Sequence, residues 1–398
     1  MKSQRRFVGL VAVVLLIACL VGMAASAQSL PAPRVLDLSA ADGTKLKATY
    51  FAAGKPGPGV LLLHQCNRQR KVWDGLAQQL AAAGINVLTL DYRGFGESGG
   101  DRFDKLPQDA VAKIIAEKWP GDIDEAFRYL TSGSGVKHDV IGVGGASCGV
   151  NNSVQTARRH PEVKSLVLLS GSTDLGGRQF LRSSQLPALF SVADDDEFPP
   201  TVQVIEWLFS ITPNPGKKLL HYATGGHGAD MFPIHPELPV SIVEWYTTTL
   251  IKTPGSAPTS TEAPAIPREI HTLDLIDQPG GAAKVAQMLE GARQRDLKAS
   301  LFPEPVVNFV GYEHLQSGDT KGAVEILKLN AVAYPDSPNV YDSLSDAYMA
   351  NGQKDLARQN AKKALECLVS DTTDPEARRK GIKDRAEQKL RQLGDTRQ

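Results

Sequence analysis

The residues best suited to chemistry lie in three short stretches. Gly145-Ala146-Ser147-Cys148-Gly149 follows the apolar run Val140 to Val143 and precedes a helical segment. This is the G-x-S-x-G pattern of a nucleophile elbow, a strained strand-to-helix turn that lifts a serine hydroxyl above a sheet. The glycines let neighbouring backbone pass close to the turn, and the dipoles of the following helix favour developing negative charge. A serine hydroxyl is a poor nucleophile at neutral pH and needs a base, itself oriented by an acid. Downstream, the apolar run Leu189 to Val192 ends in Ala193-Asp194-Asp195-Asp196-Glu197, and the next strand leads to Gly225-Gly226-His227-Gly228. Both groups fall at the carboxyl ends of strands, where open α/β sheets bind ligands. The chemistry implied is attack on a carbonyl through an acyl-enzyme.

Competing chemistries find little support. There is no H-E-x-x-H, no Walker-type loop and no C-x-x-C, so no metal and no cofactor is expected. Forty-four Lys plus Arg balance forty-four Asp plus Glu, which removes any general attraction to nucleic acid or anionic lipid. The apolar fraction of 42% is that of a core-forming protein, and 398 residues suggest two or three domains.

The elements that must position the serine, acid and histidine read as follows. Arg34 to Leu38 and Lys45 to Phe51 flank Ala41-Asp42-Gly43-Thr44 as a hairpin. Val60 to Leu63 is a continuous apolar run too short for a helix. Val72, Trp73, Leu76, Ala77, Leu80 and Ala83 then form one helical face ending at Gly84, and Ile85 to Leu90 is the next strand. The alternation repeats through Val140–Val143, Leu166–Leu169, Leu189–Val192 and Lys218–Tyr222. Continuous strands separated by helices predict an α/β fold with a mainly parallel, doubly covered sheet.

Between Thr253 and Pro267 the composition shifts to Pro, Ser, Thr and Ala, and the reading places a linker over 253–280. The chain then turns helical. Gly318 and Gly352 lie 34 residues apart, as do Val310 and Leu344, Ala323 and Ala357, and Asn330 and Ala364. A 34-residue period with Gly at the turn and Ala in the second helix is the tetratricopeptide pattern. Residues 281–398 therefore read as a small all-α domain, its repeats capped by Ala282–Arg293 and by Pro375–Leu393.

At the other end, Lys2, Arg5 and Arg6 precede an apolar run from Phe7 to Met23 and then Ala25-Ser26-Ala27. These are the parts of a secretory signal over residues 1–27, so the protein is expected to be exported, periplasmic or secreted. Leu16-Ile17-Ala18-Cys19 also resembles a lipoprotein box. A membrane association would require lipid at Cys19 or a retained signal. After export, Cys66, Cys148 and Cys367 meet an oxidising compartment.

Residues 28–252 resemble the α/β-hydrolase superfamily, of dienelactone-hydrolase or serine-esterase type. Leu61-Leu62-Leu63-His64 resembles its strand into the oxyanion loop, and Asp91-Tyr92-Arg93-Gly94-Phe95-Gly96-Glu97-Ser98-Gly99-Gly100 its next turn, D-x-R-G-x-G-x-S-x-G. The embedded G-x-G-x-x-G belongs to that turn and is discounted as a nucleotide motif. In this superfamily the order is serine, acid, histidine. The resemblance implies Ser147 as nucleophile, His227 as base and Asp196 as acid. Asp194 and Asp195 compete with Asp196, and Cys148 is an alternative nucleophile. By position, the backbone N–H groups of Cys66 and Cys148 form the oxyanion hole, with Gln65 replacing the usual glycine. The same positions suggest a Cys66–Cys148 disulfide.

Other residues read as structural: His64 at a strand end, an Asp91–Arg93 ion pair bracing its turn, Trp73 in the core, His221 and His235 without a role. The short connection from Ser170 to Pro187 carries no large lid, so the site is expected to be open and suited to small or soluble esters. Val111, Ile114, Ile115 and Trp119 are candidates for one wall, or for ordinary helix packing. The expectation is a serine hydrolase acting on a small-molecule carboxylic ester or lactone, with a protein partner for the repeat. Alternatives are an acyl-peptidase or a binding protein with a degenerate site, for which Gln65 is the supporting feature.

Overall fold

The computed structural model describes residues 30–198, 200–259 and 265–394. The expected leader, with Cys19, lies outside the described residues, as does the stretch 260–264. Eight strands build one sheet: β1 (Arg34–Ser39), β2 (Lys45–Phe51), β3 (Gly57–Leu63), β4 (Asn86–Leu90), β5 (Val136–Ala146), β6 (Val163–Leu169), β7 (Ala188–Ala193) and β8 (Lys218–Tyr222). Their order is β1-β2-β4-β3-β5-β6-β7-β8. β2 is antiparallel to both β1 and β4, and the remaining neighbours are parallel. With helices on both faces, this is the α/β-hydrolase architecture.

The continuous apolar runs follow from that double cover. In β3, Leu61 and Leu63 enter one core and Val60 and Leu62 the other. β6 divides the same way, Leu166 and Leu168 against Val167 and Leu169. Each such side chain contributes roughly 1.5–3 kcal/mol on burial. Of the helices α1 (Asp74–Ala82), α2 (Gln108–Glu117), α3 (Trp119–Ser132), α4 (Cys148–Arg159), α5 (Leu175–Ser183), α6 (Thr201–Ile211) and α7 (Glu237–Tyr246), α3, α4 and α6 cover the first face. α1 and α7 cover the second, with Trp73 in its core.

Among the described residues seven further helices follow: α8 (Arg268–Ile276), α9 (Gly281–Arg293), α10 (Glu304–Gln316), α11 (Thr320–Ala333), α12 (Pro338–Ala350), α13 (Lys354–Ser370) and α14 (Glu376–Gln392). The 34-residue offset is visible bond by bond. Gly318 N–H donates to Leu315 O and Gly352 N–H to Met349 O, both at 3.1 Å. Asp319 N–H donates to His314 O and Gln353 N–H to Tyr348 O, both at 2.9 Å. The glycines have φ of 86° and 76°, a left-handed turn that a side chain would strain. α14 closes the far end, burying Ile382, Ala386 and Leu390, and its Lys389 reaches the buried carboxylate of Asp342 at 2.8 Å.

One expectation changes here. The linker placed over 253–280 contains α8, because Ile270, Leu273 and Ile276 recur on one helical face and bury fully. They pack with Trp207 of α6, which joins the helical core rather than that of the sheet. Beneath this seam lies a dry ion pair. Arg178 of α5 donates through Nε and Nη2 to Asp277, at 3.1 and 2.8 Å to Oδ1, with both side chains fully buried. Arg178 Nη1 also donates to Thr173 O at 2.9 Å, and its guanidinium carbon stands 5.0 Å from the centre of the Trp207 ring. Asp277 accepts in addition from Arg182 at 2.6 Å and meets His314 Nε2 of α10 at 3.0 Å.

Removing one member of such a pair strands its partner, so Asp277→Ala is expected to cost about 3–5 kcal/mol in urea unfolding. His314 gives a pH signature. Burial lowers its pKa, but its bonds to Asp277 and to Asp319 at 2.7 Å outweigh that and hold it above the ordinary 6.5. Its contribution is complete below the unfolded-state value and is lost as pH rises through the folded-state one. The stability gap between the parent and His314→Gln should therefore be wider at about pH 5.5 than at about pH 8.5.

Candidate active site

β5 delivers Ser147 into an elbow. Ser147 has φ 54° and ψ −120°, and α4 starts at the next residue. Its N–H donates to Leu169 O at 2.9 Å and its carbonyl accepts from Val150 N–H at 2.8 Å, which fixes the turn from both sides. A Cβ on Gly145 would stand 2.0 Å from Gly149 O, and one on Gly149 would stand 2.2 Å from Leu63 O. The motif's glycines are therefore demanded by close approach of three backbone segments. Among the described residues, the Ser147 hydroxyl has no hydrogen-bond partner, and it lines the large cavity described below.

The acid run beyond β7 divides its work. Asp194 pairs with His221 Nε2 at 2.6 Å, and Asp195 accepts from Gly226 N–H at 2.8 Å. Asp196 is the carboxylate that meets His227, with Nδ1 2.8 and 2.9 Å from its two oxygens. Both side chains of this pair are almost fully buried, 1% and 4% exposed. Nδ1–H donation to Asp196 leaves Nε2 as the basic nitrogen. Phe198 places its ring against the imidazole at 4.6 Å between centroids.

The loop after β3 brings Cys66 to Cys148 as a disulfide, with Cα atoms 5.9 Å apart. Among the described residues, no backbone acceptor takes the N–H of Cys66 or of Cys148. Cys148 opens α4, where the helix dipole and free amides favour an anion. Cys148 is thus sulfur-bonded, which removes it as an alternative thiol nucleophile in the disulfide form. Cys367 stays free and buried in the helical region.

Gln65, read from the sequence as a defect, has a definite task. It is fully buried, and its Oε1 accepts from Ala229 N–H at 2.8 Å while Nε2 donates to His227 O at 3.2 Å. Arg68 adds two bonds to Asp230, at 3.0 and 2.8 Å. The loop after β3 and the histidine loop are thereby laced together. The same loop is pinned at its base by His64, whose Nε2 accepts from Tyr92 N–H at 3.2 Å while Nδ1 donates to Gln65 O at 2.8 Å. Burial lowers the His64 pKa to about 4, so it stays neutral and structural.

The expected Asp91–Arg93 pair does not form. Asp91 accepts from Arg70 instead, from its N–H at 2.7 Å and from Nη1, while Arg93 takes Asp122 at 2.8 Å and Asp42 at 2.7 Å. The two side chains leave their turn in different directions, and each finds a carboxylate or guanidinium remote in sequence. His221 and His235 serve local bonds, His235 to Glu237 and Thr224 O.

Ser147 and His227 open onto a cavity of about 1170 Å³. Val111, Ile115 and Trp119 line it; Ile114 packs against the core instead. The connection from 170 to 187 carries only α5, as its length predicts, and a further part of the site's lining comes from elsewhere. Phe309, Glu313, Gln316 and Ser317 at the end of α10 form part of its lining. Cover comes from a helix over a hundred residues downstream, which no local pattern announces. Ser170 is a second residue missed by sequence reasoning. It follows β6 at φ 45°, is fully buried and lines the cavity, and among the described residues its hydroxyl has no hydrogen-bond partner.

Residues 54–193 match the family model described as Hydrolase_4, serine aminopeptidase, S33. Two curated proteins of Mycobacterium tuberculosis, both named as uncharacterised, are 35% identical over 103 residues, 24% of this chain and 36% of each relative. The chain thus spans little more than a third of the length of these relatives. Among solved structures, an esterase of Pyrococcus furiosus has 17% identity and a TM-score of 0.45, over 55% of this chain and 91% of its own. A dienelactone hydrolase of Anabaena variabilis has 20% identity and a TM-score of 0.44, over 56% and 100%.

Three outcomes are expected from the site. Unfolded, unreduced protein from residue 30 onward should titrate one thiol, Cys367, and three after reduction. The bridge closes a separation of 82 residues, so reduction should lower stability by roughly 4 kcal/mol in denaturant titration. Gln65→Ala should leave a folded protein by circular dichroism but slow acylation of the serine by about 100-fold, as expected for a displaced base.

Proposed function

We propose that this α/β-hydrolase cleaves a carboxylic ester or lactone through an acyl-enzyme on Ser147. The observation that carries the reading is the buried Asp196–His227 pair, 2.8 Å apart, whose His227 lines one cavity with an elbow serine. Ser147 Oγ attacks the substrate carbonyl carbon and its proton passes to His227 Nε2. Asp196 holds the imidazole in the required tautomer and stabilises the imidazolium. The carbonyl oxygen, now negative, is met by the N–H groups of Cys66 and Cys148, donors that are worth about 100- to 1,000-fold each. Collapse breaks the ester bond, and His227 returns the proton to the leaving alcohol. Water then enters by the same route, with His227 as base, and releases the acid.

A second reading, hydrolysis of an amide bond, is favoured by the serine aminopeptidase description of the matched family. The binding-protein reading loses its main support, because the unusual Gln65 is fully engaged in lacing two site loops. Export is part of the proposal. The basic and apolar leader supports it, and so does a disulfide, which persists in oxidising compartments. The helical region, with its tetratricopeptide-like period, is proposed to have a protein partner on the helices distant from the cavity.

The test is labelling of the purified protein with a fluorophosphonate, beside Ser147→Ala and His227→Ala. Labelling of the parent that both substitutions abolish is the expected result. Absence of labelling in the folded parent would refute an activated serine. A panel of p-nitrophenyl esters and lactones, run against aminoacyl p-nitroanilides, separates the ester reading from the amide one.

A further inference from the structure

We propose that α10, the first helix of the 34-residue repeat, is the distal wall of the substrate cavity, and that Phe309 and Gln316 are specificity-determining residues for it. The substrate class that follows is an ester with an extended apolar arm, long enough to reach from Ser147 to the helical region. The inference rests on the serine hydrolase reading above and adds where selectivity resides.

Three observations carry it. First, the same cavity is lined by Ser147 and His227 on the sheet side and by Phe309, Glu313 and Gln316 on α10. At about 1170 Å³ it exceeds the roughly 300–1,000 Å³ of ordinary small-molecule sites, so a short ester would leave most of it to water. Second, an apolar strip runs through its lining: Val111, Ile115, Trp119 and Val204, with Phe198 beside the imidazole and Phe309 on α10, while Asn151, Gln155, Arg159 and Asp174 supply a polar part. Such a strip rewards a hydrocarbon arm in proportion to the area it removes from water.

Third, α10 is held in place by more than a tether. Its His314 meets Asp277 at 3.0 Å, and its Glu313 lies 3.5 Å from Arg178, whose own pair with Asp277 is fully buried. Burial raises the Glu313 pKa to about 7 against the opposing pull of Arg178, as befits a carboxyl group enclosed at this seam. A wall anchored by these contacts can discriminate between substrates; a loosely tethered domain could not. Gln316 is exposed to the cavity and can change without touching the core, whereas Phe309 is half-buried and packs against both the sheet core and the helical core, so its variant is read beside that of Gln316.

The test is a kcat/KM series on p-nitrophenyl esters from acetate to decanoate for the parent, Phe309→Ala and Gln316→Trp, with circular dichroism and thermal melts on each. The result expected is a loss of about 10-fold on the longest esters, with acetate changed less than about 2-fold, as for removal or blockage of one apolar contact. Gln316→Trp tests the wall by filling it, and stands even where Phe309→Ala fails to fold. Equal effects on every chain length, or none in either variant, would overturn the inference while leaving the serine hydrolase intact. A parent that neither labels with fluorophosphonate nor turns over any ester refutes the underlying reading, and this inference falls with it.

Discussion

Two charges with no exposure to water hold this chain together. Moving an ion from water into protein costs several kcal/mol even after relaxation, so Arg178 and Asp277 are tolerable only as a pair with their remaining lone pairs and protons satisfied. The partners come from both sides of the joint: Thr173 O just before α5, Arg182 on the same helix as Arg178, and His314 from α10. The pair thus specifies how the helical region meets the sheet. Trp207, donated by α6 to the other region's core, makes the seam apolar around it. Placement of α10 over the cavity follows from this joint.

Within the sheet a second constraint operates. Serine, acid and histidine leave three different strand ends, and parallel registry of β5, β6, β7 and β8 sets those ends side by side. Registry alone places backbone, not side chains. The final alignment comes from the lacing of loops: Asp196 to His227, Gln65 to Ala229 and His227, Arg70 to Asp91, and the Cys66–Cys148 bridge. A glycine at position 65 could hold an oxyanion loop open but could not tie it to the histidine.

The strands were legible because double cover makes them continuous apolar runs bounded by turn residues, as in Val60 to Leu63. The elbow was legible because close backbone approach demands glycine at two fixed positions. The two helix-ending turns were legible because a left-handed backbone demands glycine again at Gly318 and Gly352. What escaped has a common character. Gln65 to Ala229, Asp91 to Arg70 and Arg178 to Asp277 join residues 164, 21 and 99 positions apart. Such contacts leave no periodicity, and a polar residue at one end looks like any other until its partner is known. Arg93 illustrates the cost of guessing locally: Asp91 was two residues away, yet both side chains found better-placed partners elsewhere. The short α8 was hidden for another reason, since Pro, Ser and Thr immediately before it mask three well-spaced apolar residues.

The matched turns at Gly318 and Gly352 have a bearing on how such a chain can diversify. An array of identical hairpins is ordinarily free to lengthen at either end, because each unit presents the same faces to its neighbours. Here the two ends are not equivalent. The inner end is committed to the cavity and to the ion pair, whereas the outer end is closed by the polar helix α14, whose Lys389 and Arg385 reach back to Asp342. A duplicated hairpin inserted before α10 would push a new helix into the seam, without His314 or Glu313 to meet Arg178. One inserted ahead of α14 would only move the cap outward. The array is polarised, open to growth in one direction and silent in the other.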